Sequence, residues 1–164
     1  MNKGNRYPNF AVLSRHRPQA QATVIGAPGY PDLQGSVRFY QTAYGTVVLA
    51  EITGLPIPRG RCESPVFGFH IHEGSRCTGD AADYFADVRN HYNPYECKHP
   101  YHAGDLPPLF GANGVAFSMF LSDRFTVEEI VGKTVIIHHH PDDFVTQPSG
   151  NAGAKIACGE IVLY

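Results

Sequence analysis

Gly68-Phe69-His70-Ile71-His72 is the stretch that decides how this chain is read. Successive side chains of an extended strand alternate between its two faces, so two histidines one residue apart project from the same side. Phe67, Phe69 and Ile71 then share the opposite side. One packed strand can therefore fill a core with one face and offer two imidazoles, half of a metal site, with the other. The rest of the chain decides whether further donors join them.

Strand patterns flank that stretch. Before it come Ala22 to Gly26, Gly35 to Thr42 and Thr46 to Ile52, separated by Pro/Gly turns and followed by a Pro/Gly/Arg-rich loop through Pro65. After Glu73 there is no sustained apolar periodicity until Pro108, and loops of such length in compact domains usually carry function. This loop holds His91, Cys97, His99, His102 and Asp105. The strand pattern returns at Val115 to Leu121, a helical turn spans Thr126 to Val131, and Gly132 to His138 is the next strand. Its alternation puts Ile136, His138 and His140 on one side, with Val135, Ile137 and His139 on the other. A second long loop runs from Pro141 to Gly153, and Ile156 to Leu163 closes the chain. Some eight short strands joined by turns predict an all-β barrel or sandwich with two long loops. The organisation expected is an extended arm over residues 1–19 and one domain over residues 20–164.

Composition narrows the function classes. The net charge is −2 and charged residues make up 17% of 164, so the basic footprint of a nucleic-acid-binding protein is absent. No run of 18 apolar residues exists to cross a membrane as a helix. Met1 to Ala20 carries Lys3, Arg6, Arg15, His16 and Arg17 with no apolar stretch of the kind a signal peptide needs. The chain as written is expected to be cytoplasmic, or periplasmic or extracellular if a leader has been removed. Four cysteines, Cys62, Cys77, Cys97 and Cys158, allow three complete pairings, and none forms C-x-x-C.

Nine histidines matter only if they converge. His91, His99, His102 and Asp105 form the nitrogen and oxygen donor set that a closed tetrahedral zinc site uses. His70, His72 and His138 add three imidazoles from strands, and an all-imidazole set suits copper. Sharing His91 would complete four nitrogens, because the two ring nitrogens of imidazole can serve two cations.

These residues resemble the copper/zinc superoxide dismutases. The likeness lies in Gly68-Phe69-His70-Ile71-His72-Glu73, His91-Tyr92-Asn93-Pro94, Lys98-His99, His102-Ala103-Gly104-Asp105-Leu106, Val135-Ile136-Ile137-His138, and Gly150-Asn151-Ala152-Gly153-Ala154-Lys155-Ile156-Ala157-Cys158-Gly159. They run in the family's order over about residues 20–164, and His102 to Pro107 is closest to the bacterial branch.

The resemblance implies an eight-stranded Greek-key barrel whose long loops are the family's metal-binding and electrostatic loops. It implies one copper held by His70, His72, His91 and His138, and one zinc held by His91, His99, His102 and Asp105. Asp142 matches the carboxylate that ties a copper histidine to a zinc histidine, here His70 and His99. Cys77 and Cys158 match the family disulfide, while Cys62 and Cys97 have no counterpart and stand as a second disulfide or two free thiols. The implied activity is disproportionation of superoxide to dioxygen and hydrogen peroxide, with copper alternating between Cu(II) and Cu(I) and His91 carrying a proton. Lys155 stands where the family places an arginine, which loosens anion docking while keeping a positive charge. Superoxide is the expected small-molecule partner, with a copper donor and a second copy of the chain as further partners. The competing reading is a non-catalytic member that binds or delivers copper, or that keeps zinc alone as a structural clip.

Overall fold

The computed structural model describes residues 16–60 and 62–164. Residues 1–15, most of the expected arm, lie outside it, and the first strand begins at Ala20.

Among the described residues nine strands form: β1 (Ala20–Gly26), β2 (Gln34–Thr42), β3 (Gly45–Thr53), β4 (Val66–Phe67), β5 (Phe69–His72), β6 (Leu109–Phe110), β7 (Val115–Ser122), β8 (Thr134–His138) and β9 (Lys155–Leu163). Every segment read as a strand from the sequence is one. Seven of them make an antiparallel sheet in the order β5-β8-β9-β1-β2-β3-β7. The chain crosses from one end of this sheet to the other between β3 and β5 and again between β7 and β8, which are Greek-key connections.

The two-residue strands, too short to register in a periodicity, curl the sheet toward closure. β4 continues into β5 through Gly68 and pairs with β6, Val66 opposite Phe110. β6 turns back into β7, where Ala112 and Val115 bond each other's backbones at 2.7 and 3.0 Å. Both ends of the large sheet are thus joined through the β4–β6 pair.

Alternation sets the core. Ala20, Ala22 and Val24 of β1, Val37 and Phe39 of β2, and Val48, Ala50 and Ile52 of β3 point inward with Phe67, Phe69 and Ile71. Val135 and Ile137 join them, whereas Ile136 faces the other way, against Phe85, Val88, Ala27 and Cys158. This smaller cluster seats the loop after β5 and is pinned by the Cys77–Cys158 disulfide, which spans 81 residues. Cys62 and Cys97 are exposed free thiols, so the second disulfide does not form. An α-helical turn, Val127–Ile130, is capped by Thr126, whose side chain accepts from the Glu129 N–H while the Glu129 carboxylate accepts from the Thr126 N–H.

Candidate metal centre

The alternation of β5 turns His70 and His72 away from the core, and β8, paired with β5, brings His138 to their level. A bulge between Ile137 and His138 shifts the register, so that His138 lies opposite Lys155. The free edge of β5 is finished by the long loop: His72 bridges His91 and His70 bridges Asp105. Ile71 N–H donates to the Gly104 carbonyl and Tyr92 N–H to the Ile71 carbonyl, both at 2.8 Å. A Cβ on Gly104 would sit 2.2 Å from the Ile71 oxygen, so only glycine lets this segment approach. Two stretches distant in sequence thereby deliver His91 and Asp105 beside the strand histidines.

The result is two donor groups that share a ring. His70, His72, His91 and His138 form one, His91, His99, His102 and Asp105 the other, and within each group the donor atoms lie within 4.8 Å of one another. All seven side chains are buried. His70 and His91 are in ring contact, with centroids 3.9 Å apart.

Hydrogen bonds on the outer nitrogens aim the inner ones. His72 Nδ1 donates to the Arg89 carbonyl at 2.9 Å and His138 Nδ1 to the Gly153 carbonyl at 3.0 Å. Their Nε2 atoms then face each other at 3.4 Å. Asp142 accepts from His70 Nε2 through Oδ2 at 2.7 Å and from His99 Nε2 through Oδ1 at 2.9 Å, and also takes the Phe144 N–H. It therefore links the two groups as expected. Gly150, at φ +67°, packs so tightly here that a Cβ would lie 2.1 Å from Asp142 Oδ1. Asp105 receives the His102 N–H at 2.9 Å and lies 2.7 Å from His91 Nδ1.

The nitrogens left over test whether metals fit. His70 Nδ1, His91 Nε2, His99 Nδ1 and His102 Nδ1 are buried with no hydrogen-bond partner. Such orphans are costly unless something outside the polypeptide satisfies them. His70 belongs to the first donor group, His99 and His102 to the second and His91 to both, and with the fixed His72 and His138 rings they make sets that copper and zinc accept.

Burial also sets the charge state. Desolvation pushes the His70 imidazole down to about 4 and His138 to about 3, helped by the neighbouring imidazoles, and moves His72 and His102 down as well. At neutral pH these rings are uncharged, the form that binds a cation. Burial raises the Asp142 carboxyl, but the hydrogen bonds from His70, Phe144 and His99 prevail and bring it to about 2. Asp105 is likewise held below its usual value, by its His91 bond and the surrounding imidazoles.

A cavity of about 550 Å³ opens beside the first group, lined by His72, His91 and His138 together with Glu73, Arg89 and Lys155. Lys155 is thus at the site, but its ammonium forms an ion pair with Asp83 and donates to the Phe85 carbonyl at 3.1 Å. Asp83 carried no signal in the sequence, nor did the Arg89 and Gly153 carbonyls, because main-chain acceptors have no residue signature. His139 and His140 are exposed and stand outside both donor groups.

Comparison with known proteins agrees with this geometry. The family model described as copper/zinc superoxide dismutase (SODC) matches residues 33–161. A superoxide dismutase [Cu-Zn] of Photobacterium leiognathi is 33% identical over 141 residues, covering 77% of this chain and 78% of the relative. One from Legionella pneumophila is 34% identical over 135 residues, covering 77% and 76%. The superoxide dismutase-like protein YojM of Bacillus subtilis is 34% identical over 110 residues, covering 58% of this chain and 55% of its own length. Among solved structures, a double mutant of a SOD-like protein from Bacillus subtilis superposes with a TM-score of 0.69 at 28% identity, covering 87% of this chain and 96% of that one. With the strand order, the donor groups and these matches in agreement, the chain belongs to the copper/zinc superoxide dismutase family.

Proposed function

We propose that this chain is a superoxide dismutase, with copper held by His70, His72, His91 and His138 and zinc by His91, His99, His102 and Asp105. The observation that carries the reading is the shared ring, His91, which belongs to both donor groups, its Nδ1 2.7 Å from Asp105 and its Nε2 buried without a partner. Copper bound there would supply one-electron exchange with superoxide, and zinc a fixed positive charge. The net reaction takes two superoxide anions and two protons to dioxygen and hydrogen peroxide.

The chain's own residues have separable tasks. The carbonyls of Arg89 and Gly153 fix the His72 and His138 rings, and Asp142 fixes His70 and His99. Holding ligand rings in one tautomer and orientation raises their basicity and their affinity for metal. His91 Nε2, unpartnered, is the atom that can take up a proton and pass it to the peroxide product. Lys155 stands in the cavity wall, where its ammonium would serve an anionic substrate once free of Asp83.

A second reading, a non-catalytic member that binds or delivers copper or keeps zinc alone, is favoured by one observation: the Lys155 ammonium is engaged by Asp83. The test is superoxide decay after pulsed generation, with metal content measured on the same sample. One copper per chain and rapid decay are expected. His138→Ala should abolish both the copper and the decay and keep the zinc. Full copper loading with decay no faster than buffer would establish a non-catalytic copper-binding member, and zinc bound without copper a zinc-only one.

A further inference from the structure

Three ionised side chains line the metal cavity: Glu73, Arg89 and Lys155. Lys155 also lines a neighbouring hollow with Ala82, Asp83 and Tyr84, so it stands in the wall between the two. Its ammonium has two acceptors, the Asp83 carboxylate and the Phe85 carbonyl, both on the loop after β5. Only 17% of the Lys155 side chain is exposed, against 44% for Asp83. A pair so placed is partly shielded from solvent, and its two charges cancel at any distance larger than their separation. Counted with Asp83, the ionised groups at the cavity comprise two cations and two carboxylates.

The ionised side chains therefore add little net attraction for an anion to whatever a bound metal supplies. Cavities lined by one sign of charge concentrate ions of the other sign and speed their capture, and this one lacks that bias. The loop from Pro141 to Ser149 adds no lysine or arginine to supply it.

We propose that Asp83 is a positioning residue that sets how strongly the metal cavity takes up small anions, by holding the Lys155 ammonium and cancelling its charge. The inference rests on the reading of the His70, His72, His91 and His138 group as a copper site. It does not require that the loaded protein turn over superoxide. Asp83 touches neither metal ligands nor substrate; it acts through Lys155. Lysine at position 155 makes such a partner decisive, because an unheld ammonium on a flexible stem can swing its point charge into the cavity.

The probe is azide, titrated into the copper- and zinc-loaded protein and followed by the optical change at copper. Asp83→Asn removes the cancelling charge and should bind azide at least about threefold more tightly at low ionic strength, a gain that shrinks in high salt as free charges are screened. Asp83→Glu, which keeps the charge, should restore the original affinity. In the double variant Asp83→Asn with Lys155→Met the gain should vanish. Unchanged or weaker azide binding in Asp83→Asn overturns the proposal, as does a gain that survives in the double variant. Should the loaded protein fail to consume superoxide while the azide differences appear as stated, the enzyme reading falls and this one stands.

Discussion

Asp142→Ala removes a side chain that bonds His70 in one donor group and His99 in the other, and its effect can be worked from the structure. His70 Nε2 and His99 Nε2 each lose their acceptor, at 2.7 and 2.9 Å respectively, in a place where Asp142 itself is 5% exposed. A hydrogen bond to a charged group is worth about 1.5–3 kcal/mol, and a buried donor left unpaired costs a similar amount. Loss of the carboxylate that orients a ligand histidine typically lowers metal affinity about 10- to 100-fold, which is about 1.4–2.7 kcal/mol per site. The two routes give the same size. Both metals should therefore weaken, copper through His70 and zinc through His99, although Asp142 is a ligand of neither. The assay is competition of the metal-free protein against a chelator, copper and zinc titrated separately, with far-ultraviolet circular dichroism to show that the barrel persists. Affinities for both metals within threefold of the parent would refute the reasoning. So would a loss confined to one metal, since one carboxylate serves both rings.

Two further perturbations test other parts of the structure. Replacing Cys77 and Cys158 by serine opens a link across 81 residues. The chain-entropy account puts the loss at roughly 4–5 kcal/mol, visible as a lower denaturant midpoint; a midpoint unchanged in the metal-free protein would contradict it. Acid should weaken the metal-free protein in a defined window. Its buried imidazoles titrate below their unfolded value of 6.5, His70 at about 4 and His138 at about 3, so the unfolded chain binds more protons as pH falls. Their stabilising contribution is complete above pH 6.5 and is lost as pH drops toward 4 and 3. Asp142, at about 2 against 3.8, adds a loss at still lower pH. Urea midpoints that stay level between pH 7 and 4 would show that these rings are not held neutral.

Much of this was legible in the residues themselves. The two-residue period of Phe67 to His72 separated core from ligand face, and the structure places Phe69 and Ile71 in the core and His70 and His72 in the donor group. The loop donors were legible as a set, and the resemblance divided them in the way the geometry groups them. What stayed hidden depends on contacts without a local pattern. The β4–β6 pairing is two residues long on each strand, below the length at which alternation can be read. The Asp83 partner of Lys155 lies 72 residues away in an aperiodic loop. The carbonyls that orient His72 and His138 belong to Arg89 and Gly153, whose side chains say nothing of that role.

The loop that carries His91 and Asp105 also has a mechanical duty. β5 is the end strand of the large sheet, and its outer N–H and C=O groups are occupied by the Gly104 carbonyl, the Tyr92 N–H and the Leu106 N–H. An uncovered strand edge is a template for pairing with another chain. Ligation and protection against aggregation therefore fall to the same few residues: whatever lifts this loop from β5 would both dismantle the donor groups and bare a sticky margin.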